Sequence, residues 1–478
     1  MLLFLVIAPL AAGALGFAFP DNRRRPIFLL VAALPHAAGV AAAWARPVAP
    51  ALGGTLALDP LGKIAITTAS ALFLVCAMYA QGYLHRREDR DNRVLVGGLG
   101  VLLAAMTAVG LSQHLGLLWV TIEITTLSTA PLIYFNHNPR SLEAAWKYLL
   151  VCSLGIALAL LGTFFLALSG AAPGGPRSLL LADLVQGGHL LSRPWVRTAF
   201  VFLLVGYGTK MGLAPLHGWK PDAYGEAPGI LGALLSGAVT NFAFLAIARV
   251  FQVCRAAGEA AFAREALVAM GLLSMALAAV FLVGQRDLKR MLAYSSVEHM
   301  GILALGLGLG GTAAAGAFFH SLNNGLSKGV LFLAAGNIHR SYGSKVIDDV
   351  RGAARRLPVS GSLFLAGFLA LAGTPPFSPF WSQFTILDGA FRAGRWAVAA
   401  LFLLLLATVF VGMGATVLRA VQGDPAGAPE RPGMGDTWYT AGPPLLLMGA
   451  LLLLGVWLPA GLGELLHSAA RLVAGGQP

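Results

Sequence analysis

The sequence predicts an all-α polytopic membrane protein of about fourteen transmembrane helices, with two inverted five-helix repeats and broken helices 7 and 12. Three observations lead there. Of 478 residues, 57% are hydrophobic and 11% charged, and the apolar residues come in blocks of about twenty, the length a helix needs to cross a bilayer. The short alternating runs of soluble α/β proteins are missing, as are the alternating ten-residue or so strands of a membrane β-barrel. Two of the apolar blocks are also interrupted by Gly, Thr and Pro, at 206–215 and 372–379.

Taken in order, the first block, 2–19, is as hydrophobic as a signal peptide. It lacks a basic n-region and is followed by Arg23, Arg24 and Arg25, so it is read as span 1. Spans 2 to 6 are placed at 26–44, 58–82, 94–112, 114–135 and 143–169 by hydropathy. Span 7, 198–216, contains the first interruption, and span 8 follows at 228–253. Spans 9 to 11 lie at 265–284, 291–310 and 312–337. Span 12, 359–390, holds the second interruption, and spans 13 and 14 occupy 396–419 and 442–460. Proline removes a backbone donor and clashes with the preceding turn, so spans 7 and 12 should break near mid-membrane. Paired breaks point to internal repeats with a transport site at the breaks. Because the breaks are five spans apart, an odd number, the second unit is inserted upside down. The expected organisation is a three-helix segment 1–93, a first repeat 94–253, a second repeat 254–421, and span 14 with its tail at 422–478. That tail should lack a long amphipathic brace helix.

The net charge of +12 might suggest nucleic acid, but the basic residues sit in loops between spans rather than on one continuous face. Alternate loops carry 20 Lys and Arg on one side against 9 on the other. Since cytoplasmic loops attract positive charge, both termini should be periplasmic, in a bacterial cytoplasmic membrane. Arg193 and Arg197 oppose this bias. Cys76, Cys152 and Cys254 lie in apolar segments without CxxC spacing, which supports neither disulfides nor an iron–sulfur ligand set. No metal or cofactor is predicted, and redox chemistry would belong to other subunits.

Lys210 is the most informative single residue. It lies within 200–216, almost free of other charge, where a lysine costs several kcal/mol unless paired, wetted or neutralised. The best partner is Glu123, the lone charge of 115–135. Burial disfavours the charged amine and a nearby carboxylate favours it, opposing effects that suit a proton switch; a static ion pair joining two helices is the alternative. Lys328 lies mid-span with His320 two turns earlier and Asn324 between them, a polar stripe at i, i+4 and i+8. Such a stripe fits a hydrated pore wall or packing between helices. Glu298 and His299 lie two turns into span 10, where they could feed protons from the cytoplasm, although adjacent residues diverge by about 100° on a helix. Lys147 follows Glu143 by four residues and belongs either to a proton path or to a surface pair. His217 and Asp222, after the span-7 break, either take up protons or anchor the loop. Lys63 and Arg249, near span ends, are expected to snorkel to headgroups.

The run Lys210-Met-Gly-Leu-Ala-Pro-Leu-His-Gly-Trp-Lys-Pro-Asp-Ala-Tyr-Gly-Glu-Ala-Pro228 resembles the signature of the antiporter-like subunits shared by respiratory complex I, multisubunit cation/proton antiporters and membrane-bound group 4 nickel–iron hydrogenases. Trp119-Val-Thr-Ile-Glu-Ile-Thr-Thr-Leu, Ser141-Leu-Glu-Ala-Ala-Trp-Lys-Tyr-Leu-Leu and Ala293-Tyr-Ser-Ser-Val-Glu-His-Met-Gly-Ile are most similar to hydrogenase-4 component F. With His320-Ser-Leu-Asn-Asn-Gly-Leu-Ser-Lys328 and the residues after it, the resemblance covers about 55–420. It implies a proton-translocating subunit with two inverted half-channels and a polar axis along the midplane. Glu123 and Lys210 match the family's span-5 glutamate and span-7 lysine, and His320 and Lys328 its span-11 pair. Two departures stand out. Span 8 offers Ser236, Thr240 and Asn241 instead of a base, and Gln383 replaces the span-12 lysine or glutamate. Glutamine cannot exchange a proton near neutral pH.

The expected function is therefore a non-catalytic, proton-translocating subunit of a redox-driven complex, most similar to a group 4 hydrogenase or formate hydrogenlyase. Its partners would be other membrane and peripheral subunits, the bilayer and protons, with no nucleic acid. Two alternatives remain open. One is a Na+/H+ antiporter subunit, with oxygen ligands from Thr209, Ser236, Thr240 and Asn241; the other is a non-pumping structural subunit.

Overall fold

A computed structural model describes residues 1–87, 90–171, 173–425 and 433–476. Among them the chain is helical with four isolated β-bridges and no strands. The helices are α1 Leu2–Ala18, α2 Ile27–Ala45, α3 Pro60–His85, α4 Arg93–Leu111, α5 Leu115–Ile133, α6 Pro139–Ser169, α7 Leu181–Gln186, α8 Arg193–Met211, α9 Trp219–Glu226 and α10 Gly229–Leu234. They continue as α11 Thr240–Ala256, α12 Ala260–Leu282, α13 Leu288–Leu309, α14 Gly311–Tyr342, α15 Ala353–Arg356, α16 Pro358–Leu371, α17 Ser378–Arg392, α18 Trp396–Val421, α19 Trp438–Val456 and α20 Ala460–Ala474.

Ten helical runs among the described residues are long and apolar enough to cross a membrane, against the fourteen or so expected. The other four expected spans fall short for local reasons. α1 is short, α8 and α16–α17 belong to interrupted spans, and α14 is diluted by His320, Asn323, Asn324, Lys328 and Asn337.

Helix starts follow capping chemistry rather than hydropathy. α6 begins before residue 143 because the Asn138 side chain accepts the Ser141 N–H and the Ser141 hydroxyl accepts the Asn138 N–H, with Pro139 in the first turn. A second box, Thr437 with Thr440, starts α19 ahead of Pro443 and Pro444. Asp59 caps α3 and Asp287 caps α13 in the same way, accepting backbone N–H groups.

α1 to α4 pack as neighbours, α4, α5, α6, α8 and α11 form a second series, and α12, α13, α14, α16–α17 and α18 a third. α10–α11 and α14 form the centre; every residue from 229 to 254 is buried. Small residues permit this closeness. A Cβ on Gly237 would lie 2.8 Å from the Gly325 carbonyl oxygen. One π-helical turn, Leu235–Val239, separates α10 from α11.

The loops gather at two ends. Ala51, Leu56, Ser112, His114 and Leu180 make bridges at one end. At the other, Asn22 meets Asn92, Asn136 meets Glu226, and Lys345 meets Glu226 and Asp287. α20, overlooked in the sequence, lays its buried residues Leu465, Leu466, Ala469 and Val473 against α3, α11 and α14.

Both interruptions are real. α8 continues through Gly206 and Gly208, so the first break falls later than expected, at 212–218; the second spans 372–377. Each break has a glycine in the left-handed region at or next to its start, Gly212 at φ +80° opening the first and Gly373 at φ +75° following Ala372 in the second.

Candidate functional site

Lys210, the last residue but one of α8, is fully enclosed, 1% exposed. Its Nζ donates to Thr126 Oγ1 at 2.8 Å and to the Tyr148 hydroxyl at 2.7 Å. The Tyr148 oxygen also lies 2.7 Å from Thr129 Oγ1. α6 and α8 can approach this closely because a Cβ on Gly206 would sit 2.6 Å from the Gly155 carbonyl oxygen. Glu123 lies one turn before Thr126 on α5. Its Oε1 accepts from Ser153 Oγ at 2.8 Å, and its Oε2 is buried with no hydrogen-bond partner. Glu123 and Lys210 thus share one cluster without a direct ion pair. Each charge is solvated by neutral hydroxyls, and one carboxylate oxygen is left open to a further donor.

Lys147 and Asp222 belong to the rim instead. Lys147 Nζ lies 2.6 Å from Glu143 Oε1 and 3.1 Å from Asp222 Oδ2, and Asp222 also pairs with Arg290. These side chains, with Arg140, Glu226, Asp287 and Lys345, line a charged cavity of about 450 Å³. His217 stands in the break, half-buried against the rings of Phe281 and Tyr294, with Nδ1 unpartnered.

A second cluster joins α13, α14 and α17. Lys328, fully buried, donates to Ser295 Oγ at 2.9 Å and to the Leu292 carbonyl at 3.2 Å. One face of α14 carries His320, whose Nε2 is 2.9 Å from His299 Nδ1 and whose Nδ1 is 2.9 Å from Ser382 Oγ. Glu298 Oε2 lies 3.8 Å from His299 Nε2 and has no hydrogen-bond partner. Asn324 donates to the Ser236 carbonyl at 3.5 Å, in the π turn. π turns free main-chain carbonyls and recur at functional positions. Gln383 is 7% exposed and donates to the Leu371 carbonyl at 3.2 Å, caring for a carbonyl at the broken end of α16.

Between the clusters runs α9. Trp219 Nε1 donates to the Thr209 carbonyl at 2.9 Å, tying the returning chain to the end of α8. The Trp219 ring packs on Tyr148 at 5.0 Å. Lys220, wholly buried, donates from Nζ to Ser296 Oγ at 3.0 Å. Sequence reasoning counted Lys220 among loop residues and passed over Tyr148, Ser153, Ser295, Ser296 and Ser382. Tyr148 carried a signal: it lies on the buried face Ser141, Ala144, Ala145, Tyr148, Cys152, Gly155 at helical spacing.

Arg249 corrects an expectation. It does not snorkel but is fully buried, donating to the carbonyls of Val109, Gly110 and Ser112 and to Asp59 Oδ1. These carbonyls lie at the C-terminal end of α4, where helical donors run out and Val109 keeps only a long bond from the Ser112 N–H, and a guanidinium buried there gives each of them a donor. Of the four residues considered for sodium, Thr209 donates its hydroxyl hydrogen to the Val205 carbonyl, Ser236 to Gly232 and Thr240 to Ser236, while Asn241 donates to the Gly237 and Ser321 carbonyls and its Oδ1 has no hydrogen-bond partner. Among the described residues no group of three His, Cys, Asp or Glu is gathered to hold a metal.

Residues 112–410 match the family described as "NADH:quinone oxidoreductase/Mrp antiporter, TM". The chain is 36% identical over 387 residues to the hydrogenase-4 component F homolog of Methylacidiphilum infernorum, covering 78% of this chain and 80% of that protein. It is 32% identical over 468 residues to NADH-quinone oxidoreductase subunit 14 of Thermus thermophilus, covering 96% and 98%. A chain of Thermus thermophilus respiratory complex I superposes with a TM-score of 0.79 at 28% identity, covering 97% and 99%. A chain of the archaeal membrane-bound sulfane sulfur reductase shares the fold, with a TM-score of 0.88 at 22% identity, covering 99% and 97%.

Proposed function

Because the chain belongs to the NADH:quinone oxidoreductase/Mrp antiporter family of antiporter-like membrane subunits, we propose that it translocates protons as one membrane subunit of a redox-driven complex. The complex is of the group 4 nickel–iron hydrogenase or formate hydrogenlyase kind, in which other subunits carry out catalysis. The similarity to a hydrogenase-4 component F homolog favours that assembly. The carrying observation is Lys210, a buried amine held only by hydroxyls with Glu123 one turn away on α5. An amine so placed exchanges its proton as Glu123 approaches or withdraws. The proposed path uses Glu123, Lys210, Lys328, His320, Glu298 and His299, with Lys147, Asp222 and His217 on the rim and Gln383 as a non-titrating hydrogen-bonding station.

The chain is read as a three-helix segment 1–93, inverted repeats 94–253 and 254–421, and a final span with α20. The matched packing order of the two five-span series and their matched breaks support this reading. The excess of Lys and Arg on one set of loops supports the reading that both termini lie in the periplasm of a bacterial cytoplasmic membrane.

The test is redox-linked proton and sodium uptake by vesicles carrying the assembled complex, with Lys210→Ala and Glu123→Gln beside wild type. Proton uptake should fall in both variants, by about a hundredfold. Unchanged uptake in both at normal assembly would make this a structural subunit, and loss of sodium uptake with proton uptake intact would make it a sodium carrier.

A further inference from the structure

The two half-channels lack a base between them on span 8, where Ser236, Thr240 and Asn241 stand. We infer that Lys220, on the returning half of the first broken helix, is the proton-carrying amine that joins them. The inference rests on the proton-translocating reading above.

Four observations carry it. Lys220 is as buried as Lys328, although its sequence surroundings are those of a loop. An amine buried this deeply, with a single hydroxyl as its hydrogen-bond partner, stabilises nothing that a neutral side chain would not stabilise better. It also sits between the clusters. On one side its neighbour Trp219 packs on Tyr148, which holds Lys210, and Cys152 is within electrostatic reach of both Lys210 and Lys220. On the other side its partner Ser296 is on α13, next to the Ser295 that holds Lys328. Lys220 and Lys328 are near enough for their charges to interact, so a proton on one disfavours a proton on the other and occupancy is coupled.

The break itself is shaped for this side chain. A Cβ on Gly212 would lie 2.0 Å from Lys220 Cε and 2.7 Å from its Nζ. The second break repeats the arrangement, with Gly373 lying under Gln383 and a Cβ there 2.1 Å from Oε1. Each broken helix thus lays one polar side chain of its returning half across a left-handed glycine. The first of these can hold and release a proton, and the second cannot. The groups facing Lys220 are Cys152 on α6, Trp219 and Tyr224 on α9, His299 on α13, Lys328 on α14, and His217 in the break. In the relay step one N–H bond of the Lys220 ammonium breaks, leaving a neutral amine. The proton is gained by Lys328 through the intervening hydroxyls, with no change in oxidation state.

The experiment compares Lys220→Gln, Lys220→Arg and Lys210→Ala in vesicles carrying the assembled complex. Glutamine keeps length and a hydrogen bond to Ser296 but holds no exchangeable proton, and arginine stays charged at all relevant pH. A structural strut would tolerate glutamine, whereas a relay fails with either. Proton uptake should drop on the order of a hundredfold in both Lys220 variants at wild-type assembly. Native uptake in Lys220→Gln, or in Lys220→Arg where the glutamine variant does not assemble, overturns the inference when Lys210→Ala has lost uptake. If Lys210→Ala also pumps normally, the proton-translocating reading falls and the relay with it.

Discussion

His299 Nδ1 lies 2.9 Å from His320 Nε2, and the two rings stack with centroids 5.1 Å apart. The neighbours decide which nitrogen carries hydrogen. Ser382 Oγ donates its only proton to the Pro379 carbonyl at 2.9 Å, so it accepts from His320 Nδ1–H. In the neutral ring His320 Nε2 is then the acceptor, and His299 donates to it from Nδ1. Removing the serine removes the reference that fixes this order.

Ser382→Ala should leave the His320 Nδ1–H buried without an acceptor, at a cost of about 1–3 kcal/mol. Thermal unfolding of the purified complex would register the loss. Nitrogen NMR of labelled histidine would register a mixture of tautomers in place of one. A single unchanged tautomer would refute the assignment.

Arg249→Ala strips partners from three carbonyls at the end of α4 and leaves Asp59 uncompensated. Breaking a buried pair in this way costs about 3–5 kcal/mol, which should appear as poor assembly and a lowered unfolding temperature. Proton uptake per assembled complex should stay near wild type. A selective loss of uptake would place Arg249 in the path.

Gly212→Ala faces two penalties, a left-handed backbone at φ +80° and collision with Lys220. The backbone alone costs roughly 1–2 kcal/mol. The Lys220 side chain has to move, so uptake should fall to the level of Lys220→Gln. Uptake equal to wild type in a well-assembled Gly212→Ala complex would contradict the placement of Lys220.

Asp91, in the polar loop before α4, accepts the Arg93 backbone N–H at 2.9 Å and pairs with Arg25 at 2.8 Å. The backbone bond first, and the guanidinium with it, hold its carboxyl below the ordinary carboxylate value. Its contribution to stability is therefore complete above the unfolded-state value and is lost as pH falls through the lower folded one. The unfolding temperature should decline along this acid limb, and less steeply in Asp91→Asn. Parallel acid limbs in the two proteins would remove Asp91 as the cause.

Much of this molecule was legible because membranes write a coarse code. Apolar block length announced the helices, and Lys210 and Lys328 stood out as charges inside apolar runs. What escaped notice depends on contacts from distant helices. Lys220 is surrounded in sequence by Gly218, Pro221 and Asp222, the signature of a solvated turn, and it is α13 that covers it. Arg249 looked like a headgroup anchor because the carbonyls it serves lie at the end of α4, 140 residues earlier in the chain at Val109. Helix starts were missed where polar caps extend a helix beyond its apolar stretch, as at Asn138 and Thr437. The Glu123–Lys210 partnership was legible as proximity but not as geometry, since the bridging hydroxyls of Thr126, Tyr148 and Ser153 are common residues with nothing distinctive in their spacing.

The hydroxyl of Tyr148 has one hydrogen and two neighbours. Thr129 Oγ1 lies 2.6 Å from the Thr125 carbonyl and donates there, so Tyr148 directs its hydrogen to Thr129 and shows only a lone pair to Lys210. The row is polarised like a queue facing one way. With its lone pair toward Lys210, Tyr148 can take a proton from the amine but cannot hand one to it until the whole row has turned round, so the tyrosine acts as a check valve against protons reaching Lys210 from the Thr129 side.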